Sequence, residues 1–194
     1  MGAATRKIVG ISGNLTRPSK TRTLVGEILR QAEVGGLGTV ELFDIVDAGP
    51  ELGAAVYRNQ LAAGPDRVVS AIEQADALIV ATPVYKAAYT GLFKHLFDLI
   101  DPKFLESRPV IVAATGGSDR HALVIEHHLL PLFAFFRTAV VPTTLYMTNT
   151  DFDAEGGLSP MAIKRIGPAI DQLKVWLDRL GKSGSSAEDA GAGT

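Results

Sequence analysis

Hydroxyl-bearing side chains crowd one short stretch of the chain: Ser12, Thr16, Ser19, Thr21 and Thr23, with Arg17 and Arg22 among them. They follow an apolar run, Ile8-Val9-Gly10-Ile11, and lead into a helical pattern. A buried strand, a small polar loop and a helix start together make an anion site. First-turn amides and the helix dipole favour negative charge there, most often a phosphate. The hydroxyls would add neutral donors and the arginines charge. The spacing is neither Gly-x-x-x-x-Gly-Lys-Ser/Thr nor Gly-x-Gly-x-x-Gly. A hydroxyl-rich loop whose glycine is Gly13 suits a terminal monophosphate better than a bridging pyrophosphate. On these residues alone, an ordinary strand-to-helix turn with a Ser/Thr cap is the alternative.

Two more stretches could carry binding chemistry. Pro83-Val84-Tyr85-Lys86-Ala87-Ala88-Tyr89-Thr90-Gly91 offers backbone amides, an aromatic ring and small residues that permit close approach. Thr115-Gly116-Gly117-Ser118 can bring main-chain donors against a planar polar edge. Plainer roles stand beside these: Pro83 and Gly91 as turn residues, Tyr85 as a core aromatic, Gly116-Gly117 as a strand end. No protein catalytic set competes. The four histidines, His95, His121, His127 and His128, lack a metal-ligand spacing on a shared face, so no metal is expected. Ser12 lacks the Gly-x-Ser-x-Gly context of a hydrolase nucleophile.

Alternating strands and helices must position these loops. Strands are expected at Ile8–Ile11, Thr39–Ile45, Ala75–Tyr85, Pro109–Ala114 and Ala139–Leu145. Ala75–Tyr85 is a nearly continuous apolar run, as burial on both faces of a parallel sheet requires. Helices are expected at Thr23–Glu33, Asp66–Gln74, Gly91–Ile100, His121–Phe136 and Met161–Leu180. This alternation predicts an α/β fold: a flavodoxin-like, doubly wound, five-stranded parallel sheet of order 2-1-3-4-5. Ligands of that fold bind beyond the carboxyl ends of the strands, where the strand order reverses. The three unusual loops would meet there. Together they suit a mononucleotide with a flat heterocycle, FMN foremost. A bound flavin would carry the chemistry, leaving the protein to position reactants and exclude water.

The whole chain sets bounds. Its 194 residues are enough for one domain with a full core, expected over residues 1–180. The Gly/Ser/Ala-rich residues 181–194 are expected to be a disordered tail. With 46% hydrophobic and 21% charged residues and a net charge of −2, neither a nucleic-acid partner nor a membrane partner is expected. The sequence has no cysteine and no apolar leader, in keeping with an expected cytoplasmic location.

Ile11-Ser12-Gly13-Asn14-Leu15-Thr16-Arg17-Pro18-Ser19-Lys20-Thr21, Ala81-Thr82-Pro83-Val84-Tyr85-Lys86-Ala87-Ala88-Tyr89-Thr90-Gly91 and Ala114-Thr115-Gly116-Gly117 resemble NAD(P)H-dependent FMN reductases. The resemblance spans about Lys7–Leu180 and is strongest to the reductase components of two-component sulfonate monooxygenases. It implies FMN and NAD(P)H as cofactors, with FMN as much substrate as prosthetic group. It also implies a homo-oligomer, a tetramer, and a flavin-dependent monooxygenase component as partner. By position, Ser12, Asn14, Thr16, Ser19, Thr21, Arg22 and Thr23 would surround the FMN phosphate. Pro83, Val84, Tyr85 and Lys86 would line the ring and ribityl chain, and Thr115, Gly116, Gly117 and Ser118 the pyrimidine edge. Asn14 departs from the family's usual serine but keeps a donor. In alkanesulfonate-type members an inserted tyrosine makes a π-bulge; the aligned position here is His127, where a π-bulge and an ordinary helix kinked at Pro131 are both open. Leu123–Phe136 is apolar nearly all round, so one side is expected to meet another subunit, with Phe133 and Phe136 among its contacts. Two other readings use the same fold: an FMN-retaining quinone or azo reductase, and a flavodoxin-type electron carrier.

Overall fold

The computed structural model describes residues 5–189, with side chains to residue 180. Strand β1 (Lys7–Ser12) leads into helix α1 (Lys20–Val34), and β2 (Thr39–Asp44) runs into the short α2 (Ile45–Ala48). Helix α3 (Ala63–Glu73), β3 (Ala77–Pro83), α4 (Gly91–Asp98) and β4 (Pro109–Thr115) follow. Then come α5 (Leu130–Phe135), β5 (Ala139–Val140), β6 (Leu145–Met147) and α6 (Pro160–Asp189). The strands are parallel in the order β2-β1-β3-β4-β5, with β6 also on β4. This is the expected flavodoxin-like sheet with one refinement. The fifth position is shared by β5, paired with Pro109 and Val110, and β6, paired with Ala113, Ala114 and Thr115. Pro142 falls in the break and has no N–H to give a ladder.

Strand side chains alternate between two core layers, as the period of two dictates. Val9, Ile11, Leu78, Val80, Val110 and Val112 pack under α3, α4 and α5. Ile8, Ile79, Ala81, Ile111 and Ala113 pack under α1 and α6. Gly10 allows α1 its close approach, since a Cβ there would lie 2.6 Å from both Leu29 and Val25. The rings of Phe93, Phe97 and Phe133 are fully buried, with centroids 4.9 and 5.2 Å apart in sequence, and tie α4 to α5. Each such burial is worth roughly 2–3 kcal/mol.

The long helix expected over His121–Phe136 is broken into a 3-10 turn at Asp119–His121, a π-helical turn at Ile125–Leu129 and α5. The Leu130 N–H donates to the Ile125 carbonyl, five residues back, so His127 does lie in a π turn. This re-registration decides which rings face the core. Phe133 and Phe136 are buried, whereas Phe135 is 69% and Leu123 62% exposed. Phe133 and Phe136, expected among the contacts with another subunit, thus face the core instead, and the exposed apolar side chains of this segment are Leu123 and Phe135. Helix α6 is described to Asp189, and residues 190–194 of the tail expected from residue 181 lie outside the described residues.

Candidate functional site

The carboxyl ends of β1, β3 and β4 end side by side, with Ser12 beside Ala81 and Pro83 beside Thr115. Their loops are stitched together below the surface. The Gly13 N–H donates to the Ala81 carbonyl (2.7 Å), and Thr90 Oγ1 donates to the Gly13 carbonyl (2.8 Å). The Val84 N–H donates to the Thr115 carbonyl at 2.8 Å. The buried hydroxyls of Thr21 and Thr115 meet at 2.6 Å, linking the first turn of α1 to the end of β4. Every loop is thus fixed by its neighbour, as a preformed binding surface requires.

The first loop divides into two jobs. Ser19 is the N-cap of α1, its Oγ accepting from the Arg22 N–H at 3.3 Å, while Thr23 Oγ1 donates to the Ser19 carbonyl. Cap and first turn point the helix amides outward beside exposed Thr16. Deeper down, Ser12 Oγ donates to Asn14 Oδ1 at 2.5 Å. Asn14 Nδ2 donates to the Thr16 carbonyl and to Asp44 Oδ2, each at 3.0 Å. Those side chains are occupied within the loop. Arg17 grips Asp44 with two parallel bonds of 2.8 and 2.7 Å and also reaches Asp47 at 2.6 Å. Arg22 approaches Asp44 and Asp47 at 3.2 and 3.3 Å. Burial alone would push the Asp44 carboxyl up; hydrogen bonds from Arg17, Asn14 and the Asp47 amide, and the Arg22 charge, outweigh it and hold Asp44 at about 2.

The second loop carries strain. Lys86 and Ala87 have φ of 52° and 70°, in a tight turn closed by Tyr85 N–H to the Ala88 carbonyl at 2.9 Å. Left-handed backbone in a non-glycine residue costs roughly 1–2 kcal/mol and collects at ligand-contact sites. The turn holds Tyr85, 48% exposed, at the rim. Farther along, Tyr89 meets the edge of His128 with centroids 5.9 Å apart, joining this loop to the π turn.

The third loop is clamped from β6. The Gly116 N–H donates to the Met147 carbonyl, and Tyr146 Oη donates to the Ser118 carbonyl at 2.7 Å. Burial and the Asp119 charge push the Tyr146 phenol up, keeping it a donor. A Cβ on Gly116 would fall 2.0 Å from Tyr146 Oη, whereas one on Gly117 would meet nothing within 4 Å. Gly116 is needed for the clamp and Gly117 leaves backbone open to a ligand.

Pro83, Val84, Thr115, Gly116 and Gly117 line one cleft of about 180 Å³. Ser19 and Thr23 border an adjoining hollow of about 390 Å³, with Lys20 facing both. Tyr85, Lys86 and Ser118 stand exposed outside that lining, and Arg22 turns toward the acidic pair. The opposite wall was not anticipated: Thr148, Asn149 and Phe152, from the loop after β6. Arg165 of α6 fixes that loop through Asp151 at 2.9 Å and the Tyr146 carbonyl at 2.7 Å. Its signal was present in Thr148-Asn149-Thr150-Asp151, a polar cluster at the carboxyl end of a further parallel strand. The donor set fits an FMN-sized ligand. Open backbone at Gly116-Gly117 suits a planar polar edge, Val84 and Phe152 are apolar walls, and the α1 start suits a phosphate.

Among the described residues, no cluster of three His, Asp or Glu could hold a metal ion, and no helix is long and apolar enough to cross a membrane. The family model described as NADPH-dependent FMN reductase matches residues 6–153. The NADH-dependent FMN reductase SfnF of Pseudomonas fluorescens is 49% identical over 148 residues, 75% of this chain and 78% of that one. An FMN reductase (NADPH) of Pseudomonas aeruginosa is 45% identical over 149 residues, 76% and 79% of the two chains. The crystal structure of the NADH:FMN oxidoreductase EMOB, in its apo form, superposes with a TM-score of 0.77 at 30% identity, covering 88% of this chain and 89% of that one. With its fold, its three converging loops and these relatives in agreement, the chain belongs to the NADPH-dependent FMN reductase family.

Proposed function

We propose that this protein catalyses NAD(P)H + H⁺ + FMN → NAD(P)⁺ + FMNH2 in the cytoplasm and releases the reduced flavin to a separate flavin-dependent monooxygenase of organosulfur metabolism. The carrying observation is the convergence of Pro83, Val84, Thr115, Gly116 and Gly117 in one cleft beside the capped start of α1. Bound FMN would supply the redox chemistry, taking hydride from the nicotinamide. The chain's part is placement. The Ser19-capped helix start and the Thr16 and Ser19 hydroxyls would hold the phosphate, with Thr23 bracing the cap from below, and Gly116 and Gly117 the pyrimidine edge. Val84 and Phe152 would flank the ring, and Tyr85 would shield the rim. A shallow cleft with mainly neutral donors favours exchange of flavin over retention. The resemblance of the loop motifs to reductase components of sulfonate monooxygenases, and similarity to the NADH-dependent FMN reductases SfnF and SfnE, support this reading of the partner.

The same protein is read as a homo-oligomer, a tetramer. Exposed Phe135 lines a groove of about 530 Å³ together with Tyr89, His127 and His128, and Leu123 is exposed just before the π turn. An exposed ring at the edge of a partly apolar groove suits a second copy. Colourless protein that oxidises NADH or NADPH only when FMN is added, saturably, is the expected result. Yellow protein indifferent to added FMN but responsive to quinone would replace this reading with an FMN-retaining reductase.

A further inference from the structure

Three cations flank the start of α1, and their partners differ. Arg17 and Arg22 both face Asp44 and Asp47 at 2.6–3.3 Å, so two positive charges meet two negative ones. That group is a neutral brace, set on the β2 side of the loop. Lys20 points the other way. Its Nζ contacts only neutral groups, Asn149 Oδ1 at 3.0 Å and the Phe152 ring at 5.3 Å from the centroid. It has no carboxylate partner among the described residues, although Glu155 borders the same hollow. Lys20 faces both the cleft with Gly116 and Gly117 and the hollow with Ser19.

We propose that Lys20 alone brings uncompensated positive charge to a phosphate monoester in this cleft, while Arg17 and Arg22 act as positioning residues for the loop. The proposal rests on the FMN-reductase reading and assigns a role within it. A phosphate monoester could be that of FMN or the 2′-phosphate of NADPH; the chemistry is shared and the test separates them. An exposed ammonium against a phosphate is worth roughly a two- to fivefold change in affinity at low salt, and less as salt screens it. Asn149 and Phe152 hold the ammonium in place before a ligand arrives.

Lys20→Gln tests this by flavin-fluorescence quenching with FMN and riboflavin at several salt concentrations, and by steady-state KM for NADH and NADPH. A roughly two- to fivefold weaker FMN affinity, fading with salt and absent for riboflavin, supports the flavin phosphate as the ligand of Lys20. Unchanged FMN affinity with a raised KM for NADPH and not NADH supports the 2′-phosphate. No change in either overturns the assignment. Arg17→Gln is expected to lower stability while keeping the salt dependence of FMN binding; loss of that dependence in Arg17→Gln, with its retention in Lys20→Gln, also overturns it. Wild-type protein that quenches no flavin fluorescence overturns the FMN reading itself, a result distinct from all of these.

Discussion

Replacing Asp44 by Asn should expose what the brace contributes. The Asp44 side chain is fully buried and receives Asn14, both arms of Arg17 and the Asp47 amide. Its carboxyl is held down at about 2, below the ordinary 3.8, by these bonds against the opposing cost of burial. A depressed carboxyl stabilises the fold above its unfolded pKa, and that contribution is lost as pH falls toward the folded one. The charge therefore contributes about 2 kcal/mol at pH 7 and about 1 kcal/mol at pH 3. Asn keeps the shape, so Asp44→Asn should lose about 2 kcal/mol at pH 7, and urea unfolding should show the deficit roughly halving at pH 3. Carboxylates remote from Arg17 and Arg22 contribute equally to both proteins and cancel in the difference. A deficit below about 0.5 kcal/mol at pH 7, or one equal at the two pH values, would refute the reasoning that charge pairing drives the effect.

Gly116→Ala should force Tyr146 aside, breaking its bond to Ser118 and weakening FMN binding; Tyr146→Phe, which loses the bond without the clash, should weaken binding less in the same titration. Ser19→Ala removes the α1 cap and should cost about 1 kcal/mol in urea unfolding, together with FMN affinity. Ala87→Gly relieves a φ of 70° and should stabilise the fold by up to about 1 kcal/mol; a lower melting temperature would contradict the strain. Phe135→Asp should reduce the mass seen by light scattering while leaving the melting curve of the dissociated chain intact, since this ring is 69% exposed; Phe133→Asp should instead unfold the protein.

Much of this was legible in the sequence because burial writes itself into composition. Ala77–Pro83 and Pro109–Thr115 read as strands since a parallel strand buried on both faces has no polar positions to confuse its pattern. Topology then brought the three loops together without further information. The role of Asn14 was not legible: its donors go to Thr16 and to Asp44, thirty residues away along the chain. Only the parallel register that sets Ser12 beside Asp44 creates that partner. The divided helix over Asp119–Phe135 hid for another reason. Apolar content marks a helix, but a one-residue slip in hydrogen-bond register at Ile125–Leu129 leaves no compositional trace. Thr143 and Thr144 looked like mid-strand residues because β-branched residues suit strands, and Pro142 before them set the break.

That break also bears on how the molecule avoids unwanted polymerisation. An edge strand with free amides templates foreign strands and starts aggregation. Here the edge is reduced to two pieces, Ala139–Val140 and Leu145–Met147, neither long enough to hold an incoming strand. Between them the Thr143 N–H is already claimed by Gln172 Oε1 at 2.8 Å, and Gln172 Nε2 returns a bond to the Thr143 hydroxyl. A side chain from α6 thus occupies the position a neighbouring backbone would need, so this border of the sheet resists fibril-like stacking.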